Sequence, residues 1–504
     1  MHAGTRRDAG PLTPVALVLG GIAILMCVAA LVTPADADLW GHLIFGRDIV
    51  REGRVTLVDD YAFTSQPAWI NHEWLAEVLF FQVYRYAGIS GLVVFKLAII
   101  GAMLLVVWRS LRRVGASGVS IALTLAFVFV STYWRTHNVR PQLFSVLIFA
   151  LLLTTLHRTD RRRWPVLLLV PLLMALWTNL HGGWIVGAGT VAVWASARVL
   201  DRGATIVARL GAGLVAASAL AATLLNPYGS GLWMFLAETV RLERADTEDW
   251  NSILTAPIAL GLPWALTVGV AACAVWRHGW PRAFDRLLIV GGLAFASFRV
   301  SRLDAFFALS VAILWLPPAL ALHGPSADVK SARAQGRGAA MAILAGALIA
   351  MAIPVGRLAA RQITCIPISG AWAPDEQAAR FIAANKLHGR MLTWYDWGEY
   401  VIWHFGPDIQ VSMDGRRETV YLERTTEAHR QFYANAETGP SLLQLLAPDY
   451  IWLPSHLPVI EPLPARGWTP IFRSGASVLF ARAGSRQFIQ PDPVPPGPRC
   501  FPGP

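Results

Sequence analysis

Runs of roughly 17 to 25 apolar residues recur along the first 356 residues of this chain, and a helix of that length can cross the hydrocarbon core of a bilayer. Only 15% of the residues are charged, whereas soluble domains carry about a quarter. The sequence therefore predicts an α-helical polytopic membrane protein. We expect about 11 transmembrane helices, at residues 14–32, 91–108, 118–134, 141–157, 164–180, 184–200, 210–225, 256–276, 286–298, 303–322 and 338–356.

The basic residues predict how the chain lies in the membrane. The net charge is +11, and the excess falls between alternate predicted spans, as it does in cytoplasmic loops. This pattern predicts a cytoplasmic N-terminus and, after an odd number of spans, an extracytoplasmic C-terminal part. It gives no reason to expect a nucleic acid partner. The residues that carry it are Arg6, Arg7, Arg109, Arg112, Arg113, Arg158, Arg161, Arg162, Arg163, Arg202, Arg209, Arg277, Arg282, Arg286, Lys330, Arg333 and Arg337.

The long soluble parts of the chain all fall on the outer side in this topology. Cys365 and Cys500 bracket the last of them; they either pair as a disulfide, which an oxidising compartment permits, or remain thiols. We predict a membrane domain at 1–360 with a first outer loop at 33–90, an α/β domain at 361–483, and a proline-rich tail at 484–504 that is extended or disordered.

Residue patterns within the α/β domain predict its elements. Pro374 suits the first position of a helix, and Ser474-Gly475 suits the turn of a hairpin. We expect helices at 374–387 and 421–437, a helix or strand at 399–405, and strands at 391–394, 409–413, 450–453, 470–473 and 477–481.

Acids and histidines crowd the start of the first outer loop. Asp36 and Asp38 directly follow the first predicted span, and Trp40 and His42 come next. A carboxylate there can take a proton from an incoming hydroxyl or amine. It can also bind a divalent cation, Mg²⁺ or Mn²⁺, that holds a phosphate. The plainer alternative is a pair of capping or solvated acids at the membrane border.

Further polar residues fall at the same outer level. His72 and Glu73 come later in the first loop, and Asn179 and His181 follow the fifth predicted span. The stretch from His72 to Glu77 lacks the second histidine of the helical zinc motif. The alternative for this stretch is an interfacial helix with its polar side in water. If these helix ends converge, we expect the four side chains to border one cavity with His42.

Arginines at the outer helix ends are candidates for holding a phosphate, because a guanidinium binds phosphate through two parallel hydrogen bonds. The candidates are Arg140, Arg299 and Arg302, with Lys96 one or two turns inside the second span. Each could instead be an ordinary side chain that extends to the interface.

Two motifs of the α/β domain combine aromatic and acidic residues, at 394–400 and 413–418. Such residues suit stacking against sugar rings and hydrogen bonding to hydroxyls. Asp414-Gly415 also favours a tight turn, and we favour this structural explanation over direct catalysis.

The order of these motifs resembles an uncharacterised branch of the bacterial GT-C superfamily of integral-membrane glycosyltransferases. The similar pieces run from about 34 to 482 and are Asp36-x-Asp38-x-Trp40-x-His42, Asn71-His72-Glu73-Trp74-Leu75, Asn179-Leu180-His181-Gly182, Asn226-Pro227-Tyr228-Gly229, Trp397-Gly398-x-Tyr400 and Asp414-Gly415-Arg416.

The resemblance implies transfer of a sugar from a polyprenyl-phosphate carrier to an extracytoplasmic acceptor at a bacterial inner membrane. The functional acid of the first outer loop then falls on Asp36 or Asp38. Two features depart from the pattern. Gly41 stands where a bulky aromatic residue is expected, and no acid lies between His137 and Pro141.

On this interpretation the chain is an inverting glycosyltransferase with its α/β domain in the periplasm. Asp38 is the general base, and Asp36 is its partner or a metal ligand. Arg302 with Arg140 holds the donor phosphate. His42, His72 and His181, with Glu73 and Asn179, bind substrate.

Three alternatives remain: a ligase or polymerase of lipid-linked glycans, a transporter or flippase, and a non-catalytic scaffold of cell-envelope polysaccharide assembly. Transporters place polar groups near the bilayer midplane, whereas the polar groups here gather at the outer span ends. This placement disfavours transport.

Overall fold

A computed structural model describes residues 14–66, 68–157, 164–239, 248–280, 283–321, 356–435, 441–482, 487–492 and 497–503. Its N-terminal part is helical. The helices are α1 (Pro14–Leu31), α2 (Leu39–Glu52), α3 (Trp74–Arg113), α4 (Gly118–Thr136), α5 (Gln142–Leu156), α6 (Trp164–Leu180), α7 (Trp184–Leu200), α8 (Ile206–Ala222), α9 (Gly231–Thr239), α10 (Ile258–His278), α11 (Phe284–Arg299), α12 (Asp304–Ser310) and α13 (Leu316–Ala321), with a π-helical turn at Val311–Trp315 between the last two.

The predicted spans fall on these helices. Each of the first ten overlaps a helix, and the eleventh, 338–356, lies outside the described residues. Within the part of the chain that the structure describes, four helical stretches are long and apolar enough to cross a membrane: Trp74–Arg113, Gly118–Thr136, Ile258–Arg277 and Ser301–Leu320. Five shorter apolar helices accompany them. The chain is therefore a membrane protein, and the number of eleven spans stays a prediction.

The helical part has an aromatic core and an apolar exterior. Trp177, Trp184 and Phe149 are fully buried between helices. On α8, by contrast, Ile206 and Leu210 are about two-thirds exposed, at 66% and 67%. A surface of large exposed apolar side chains is typical of contact with lipid.

The C-terminal domain is an α/β unit, as predicted. Its strands are β1 (Gly389–Thr393), β2 (Ile409–Val411), β3 (Tyr450–Pro454), β4 (Trp468–Arg473) and β5 (Ser477–Arg482). They form one five-stranded sheet in the order β2-β1-β3-β5-β4, in which β2, β1 and β3 are parallel, β5 is antiparallel to β3, and β4 is antiparallel to β5. The helices are α14 (356–364), α15 (Glu376–Ala384), α16 (Gly398–Phe405), α17 (Glu423–Tyr433) and α18 (Leu442–Leu446).

The first outer loop joins this domain to the helical part. The loop forms a bridge at Ala62 with Val411 of the edge strand β2. The amide of Val411 donates to the carbonyl of Tyr61 at 2.9 Å, and the amide of Phe63 donates to the carbonyl of Val411 at 3.1 Å. Helix α16 packs against α2. These contacts bring the start of α16 to the start of α2.

The end of the proline-rich tail packs against the same region, where it was predicted to be extended or disordered. Cys500 forms a disulfide with Cys365. Phe501 is 1% exposed, against the rings of Trp40 and Trp403. The indole of Trp40 also donates to the carbonyl of Pro502 at 2.8 Å. Apolar burial and the covalent link hold residues 497–503 against the first outer loop.

Candidate functional site

One cavity of about 490 Å³ lies where the outer helix ends meet the C-terminal domain. The predicted site residues that line it are Asp38, His42, His72, Glu73, Arg140, His181 and Arg302. Residues more than 200 positions apart thus share one space, as the convergence of the helix ends predicted. The functional roles of these residues stay predictions.

Asp36 and Asp38 are held by one arginine. Nη2 of Arg140 donates to Oδ1 of Asp36 at 2.6 Å and to Oδ2 of Asp38 at 2.9 Å. Asp36 is 8% exposed and also accepts from the Asp38 amide and the Asn138 side chain. Asp38 lines the cavity, whereas Asp36 lies behind it and orients Arg140.

The two acids differ in electrostatics. Burial raises the pKa of Asp36, but the charge of Arg140 and the hydrogen bonds together hold it below its usual value. Burial also raises the pKa of Asp38, and repulsion from Asp36 and Glu73 adds to that rise, so the net shift is upward despite Arg140. Asp38 is therefore the better proton acceptor of the pair.

A hydrogen-bond chain fixes the ring of His181. The indole of Trp177 donates to Oγ of Ser145 at 2.6 Å, and that hydroxyl lies 2.7 Å from Nδ1 of His181. The Gly183 amide also donates to Nδ1, at 3.0 Å. Nδ1 is thus an acceptor, and Nε2, 3.7 Å from Oε1 of Glu73, carries the proton. Burial lowers the pKa of His181 to about 3, so the ring is neutral.

A second acid–histidine group lies beside it. Nε2 of His72 is 3.6 Å from Oε1 of Glu73. Nδ1 of His42 is 3.8 Å from Oε1 of Glu77, whose other oxygen accepts from the side chain of Asn71. The wall between α2 and α3 therefore offers proton donors and acceptors at close range.

Arg302 is placed differently from the other arginines of the cavity. Arg135 is 4% exposed and is paired with Asp249 and Asp304, each at 2.9 Å. Among the described residues, no carboxylate forms a salt bridge with Arg302. Its guanidinium lies 5.7 Å from the ring centre of Trp250. Arg302 is thus able to bind an anion that enters the cavity.

Two predicted site residues lie elsewhere. Asn179 donates to the carbonyls of Ala175 and Leu225 and accepts from the indole of Trp74, each at 2.8 Å; it joins helix ends and does not line the cavity. Arg299 is exposed at the end of α11, also outside the lining. Because helix side chains change direction with each residue, two arginines three positions apart on either side of a helix break need not face one cavity.

Lys96 is also away from the cavity lining. Its ammonium donates to the carbonyls of Val32 and His137 and to the hydroxyl of Thr33, at 2.7 to 3.0 Å. All three of these acceptors belong to the chain itself, at two turns between helices.

The C-terminal domain also contributes residues to the cavity. They belong to the motifs at 394–400 and 413–418, for which a structural role was favoured over direct catalysis. Asp396, Glu399 and Arg416 line the cavity. Burial, followed by repulsion from Asp38, raises the pKa of Asp396 to about 6. The amide of Gly41 donates to Oε2 of Glu399 at 3.1 Å. The aromatic–acidic motifs were the only sequence signal for these residues.

A divalent cation needs several oxygen or nitrogen ligands that point at one position. Within the described ranges, no group of three or more His, Cys, Asp or Glu side chains is placed to hold a metal ion. Asp36 and Asp38 both direct oxygens at the guanidinium of Arg140. These residues do not form a ligand set, and the cation considered from the sequence stays an untested prediction.

No protein-family model matches the chain, and no curated protein matches it. Solved structures do. The oligosaccharyltransferase of Archaeoglobus fulgidus without ligand has a TM-score of 0.57 at 12% identity, over 86% of this chain and 69% of that one. The same organism's archaeal oligosaccharyltransferase AglB, in complex with an inhibitory peptide and a dolichol-phosphate, has a TM-score of 0.50 at 12% identity, over 92% and 74%.

At this identity the similarity concerns the fold. The chain shares its fold with this oligosaccharyltransferase, and at the level of the fold this confirms the resemblance to the GT-C superfamily inferred from the sequence motifs.

Proposed function

We propose that this protein transfers a sugar from a polyprenyl-phosphate carrier to an acceptor on the outer face of a bacterial cytoplasmic membrane. The observation that carries the proposal is the cavity itself, in which a proton-accepting carboxylate, Asp38, and an arginine without a carboxylate partner, Arg302, face the same space. The GT-C fold supports it, as does the dolichol-phosphate in one structure of that fold.

The reaction needs a base and an anion site. Asp38 takes the proton of the acceptor as the acceptor atom attacks the anomeric carbon of the sugar. The bond from that carbon to the phosphate oxygen breaks, and the polyprenyl phosphate leaves with the electron pair. Attack from the face opposite the phosphate inverts the configuration. Asp36 keeps Arg140 in place, so that Asp38 stays oriented.

The phosphate binds at Arg302. Arg140 was expected to share this task, but its guanidinium is engaged by two carboxylates. The neutral His181 offers its Nε2–H instead, and Oε1 of Glu73 lies 3.7 Å from that nitrogen. A charged guanidinium and a neutral N–H donor together suit a phosphate that gains charge as the bond breaks.

The closest alternative within this chemistry is a ligase or polymerase of lipid-linked glycans, for which the same cavity would serve. It differs in the size of the donor. A donor panel in the experiment below therefore includes a lipid-linked oligosaccharide beside lipid-linked monosaccharides.

The test is sugar transfer by the purified protein in proteoliposomes, with labelled polyprenyl-phosphate sugars and a membrane extract as acceptor source. Asp38→Asn should lower turnover by about 100-fold or more, the amount that a general base contributes. Asp36→Asn should have a smaller effect, because it loosens Arg140 without removing the base.

Asp60→Asn is the matched control, since Asp60 is exposed in the same outer loop and does not line the cavity. If the Asp38→Asn protein turns over donor as fast as the Asp60→Asn protein, Asp38 is not the base. A folded wild-type protein that turns over no donor would exclude transfer of these sugars.

A further inference from the structure

Glu399 reaches the catalytic cavity from the other domain. It lies in the first turn of α16 and is 4% exposed. Its nearest hydrogen-bond partner is the amide of Gly41, in the first turn of α2. The two residues are 358 positions apart in the chain.

Two glycines make room for this carboxyl. A Cβ atom on Gly41 would collide with Oε2 and the carboxyl carbon of Glu399. A Cβ atom on Gly415 would collide with Oδ1 of Asp38 and would lie 3.2 Å from Oε1 of Glu399. The carboxyl groups of Asp38 and Glu399 therefore both border the space beside the Cα atom of Gly415.

The hydrogen bonds indicate where a proton on Glu399 resides. Oε2 accepts from the Gly41 amide, so the second oxygen, Oε1, is the one free to carry the proton, and it is the one that faces Asp38 across Gly415. Glu399 is buried and Asp38 is partly buried, and two such carboxylates at this range repel each other when both are ionised. Burial, followed by repulsion from Asp38, Asp414 and Glu77, holds the pKa of Glu399 well above its usual value, although the charge of Arg416 lowers it.

We infer that Glu399 is an acceptor-binding residue that holds the acceptor's hydroxyl group against Asp38, with its Oε1–H as the donor. The inference rests on the proposed transferase function. The acceptor oxygen gives its own proton to Asp38 and receives a hydrogen bond from Glu399 through its lone pair. A hydroxyl can do both, whereas an amide nitrogen has no available lone pair for the second bond.

The geometry also explains why Gly41 departs from the aromatic residue expected there. Any side chain at this position would displace Glu399 from the cavity wall. Glycine at position 41 therefore leaves the space that the carboxyl group of Glu399 occupies.

The test uses the full-length protein in proteoliposomes with a labelled polyprenyl-phosphate hexose and a membrane extract in a dilution series. Glu399→Gln keeps a hydrogen-bond donor in the place of the protonated acid, so its turnover should stay within an order of magnitude of wild type. Glu399→Ala removes one neutral hydrogen bond, so it should raise the half-saturating amount of extract by roughly 3- to 10-fold. Glu423→Gln, an exposed acid in the same domain, is the control.

Several results would overturn the inference. A loss in Glu399→Gln as large as that in Asp38→Asn would make Glu399 an ionised base. If Glu399→Ala leaves the half-saturating amount of extract unchanged, Glu399 does not bind the acceptor. A labelled product in which the sugar is linked to nitrogen would also contradict this role. Absence of turnover in wild type would remove the proposed function and this role together.

A second measurement does not depend on turnover. At neutral pH, the infrared carbonyl band of protonated carboxyl groups should be stronger in wild type than in Glu399→Gln. Equal spectra for the two proteins would contradict a protonated Glu399 even where both are active.

Discussion

At the scale of single residues, charge pairing separates arginines that look alike in the sequence. Arg135 and Arg140 each contact two carboxylates, whereas Arg302 has none among the residues that the structure describes. Arg302 lines the cavity and Arg299, three positions earlier, does not. Only a side chain without a partner can bind an incoming phosphate without first breaking an ion pair.

This difference gives a prediction for the donor. Arg302→Ala should raise the half-saturating concentration of polyprenyl-phosphate sugar by roughly 10- to 100-fold, because a hydrogen bond to a charged group contributes about 1.5 to 3 kcal/mol. Arg299→Ala should leave it near the wild-type value, since its side chain is exposed outside the cavity. Equal effects of the two substitutions on donor titrations would contradict this placement of the phosphate.

The sequence predicts some of these residues and misses others for a physical reason. Asp38, His181 and Arg302 were found because polar residues beside apolar spans are costly and therefore conspicuous. Glu399 belongs to the aromatic–acidic motif at 394–400, but its place in the cavity was not predictable, because its burial follows from a contact with Gly41 across 358 positions. A glycine in a sequence does not reveal which side chain fills the space above it.

At the scale of elements, the site depends on how α2 and the C-terminal domain are joined. Arg416 links them: its guanidinium contacts Asp59 of the first outer loop at 2.7 Å and Asp414 at 2.7 Å. It also lies over the rings of Phe45 and Trp69, at 4.5 and 4.8 Å. The side chains of Asp59 and Asp414 are fully buried.

Removing this arginine should weaken the junction. Arg416→Ala leaves two buried carboxylates without a counter-charge, and breaking such a pair costs about 3 to 5 kcal/mol. We expect a lower apparent Tm and faster proteolysis of the C-terminal domain. Arg424→Ala, exposed on α17, is the comparison. An Arg416→Ala protein as stable as Arg424→Ala would show that the network does not hold the domain.

The secondary structure of the C-terminal domain was predictable, because alternation and turn residues are local signals. All five strands and the helices α15 and α17 lie where the sequence predicted them, within a few residues. The pairing of the first outer loop with β2 was not predictable. A single bridge at Ala62 is too short to leave a pattern in the sequence.

At the scale of the whole molecule, the chain end and the first outer loop form one structure. The disulfide of Cys365 and Cys500 closes a loop of 135 residues. Beyond it, Pro502 accepts hydrogen bonds from Trp40 and His404. From its proline content, the tail was predicted to be extended or disordered. This prediction missed the packing, because proline content says nothing about a covalent link between Cys500 and Cys365.

Loss of this link should release the tail. The double substitution Cys365→Ser/Cys500→Ser should lower the apparent Tm, since closing a loop of this length stabilises a fold by roughly 4 to 5 kcal/mol in the chain-entropy model. The tail should also become accessible to protease. Cys27→Ser/Cys273→Ser, which removes two free cysteines, is the matched control, and equal Tm values for the two double variants would contradict the prediction.

The measurement that tests the central claim most directly follows two labels on one donor. A polyprenyl-phosphate sugar labelled separately in the phosphate and in the sugar is incubated with the protein in proteoliposomes and an acceptor extract. We predict that the phosphate label stays with the lipid while the sugar label moves to the acceptor in equal amount. Labels that remain together on one molecule, inside or outside the vesicle, would contradict transfer and favour transport or a non-catalytic role.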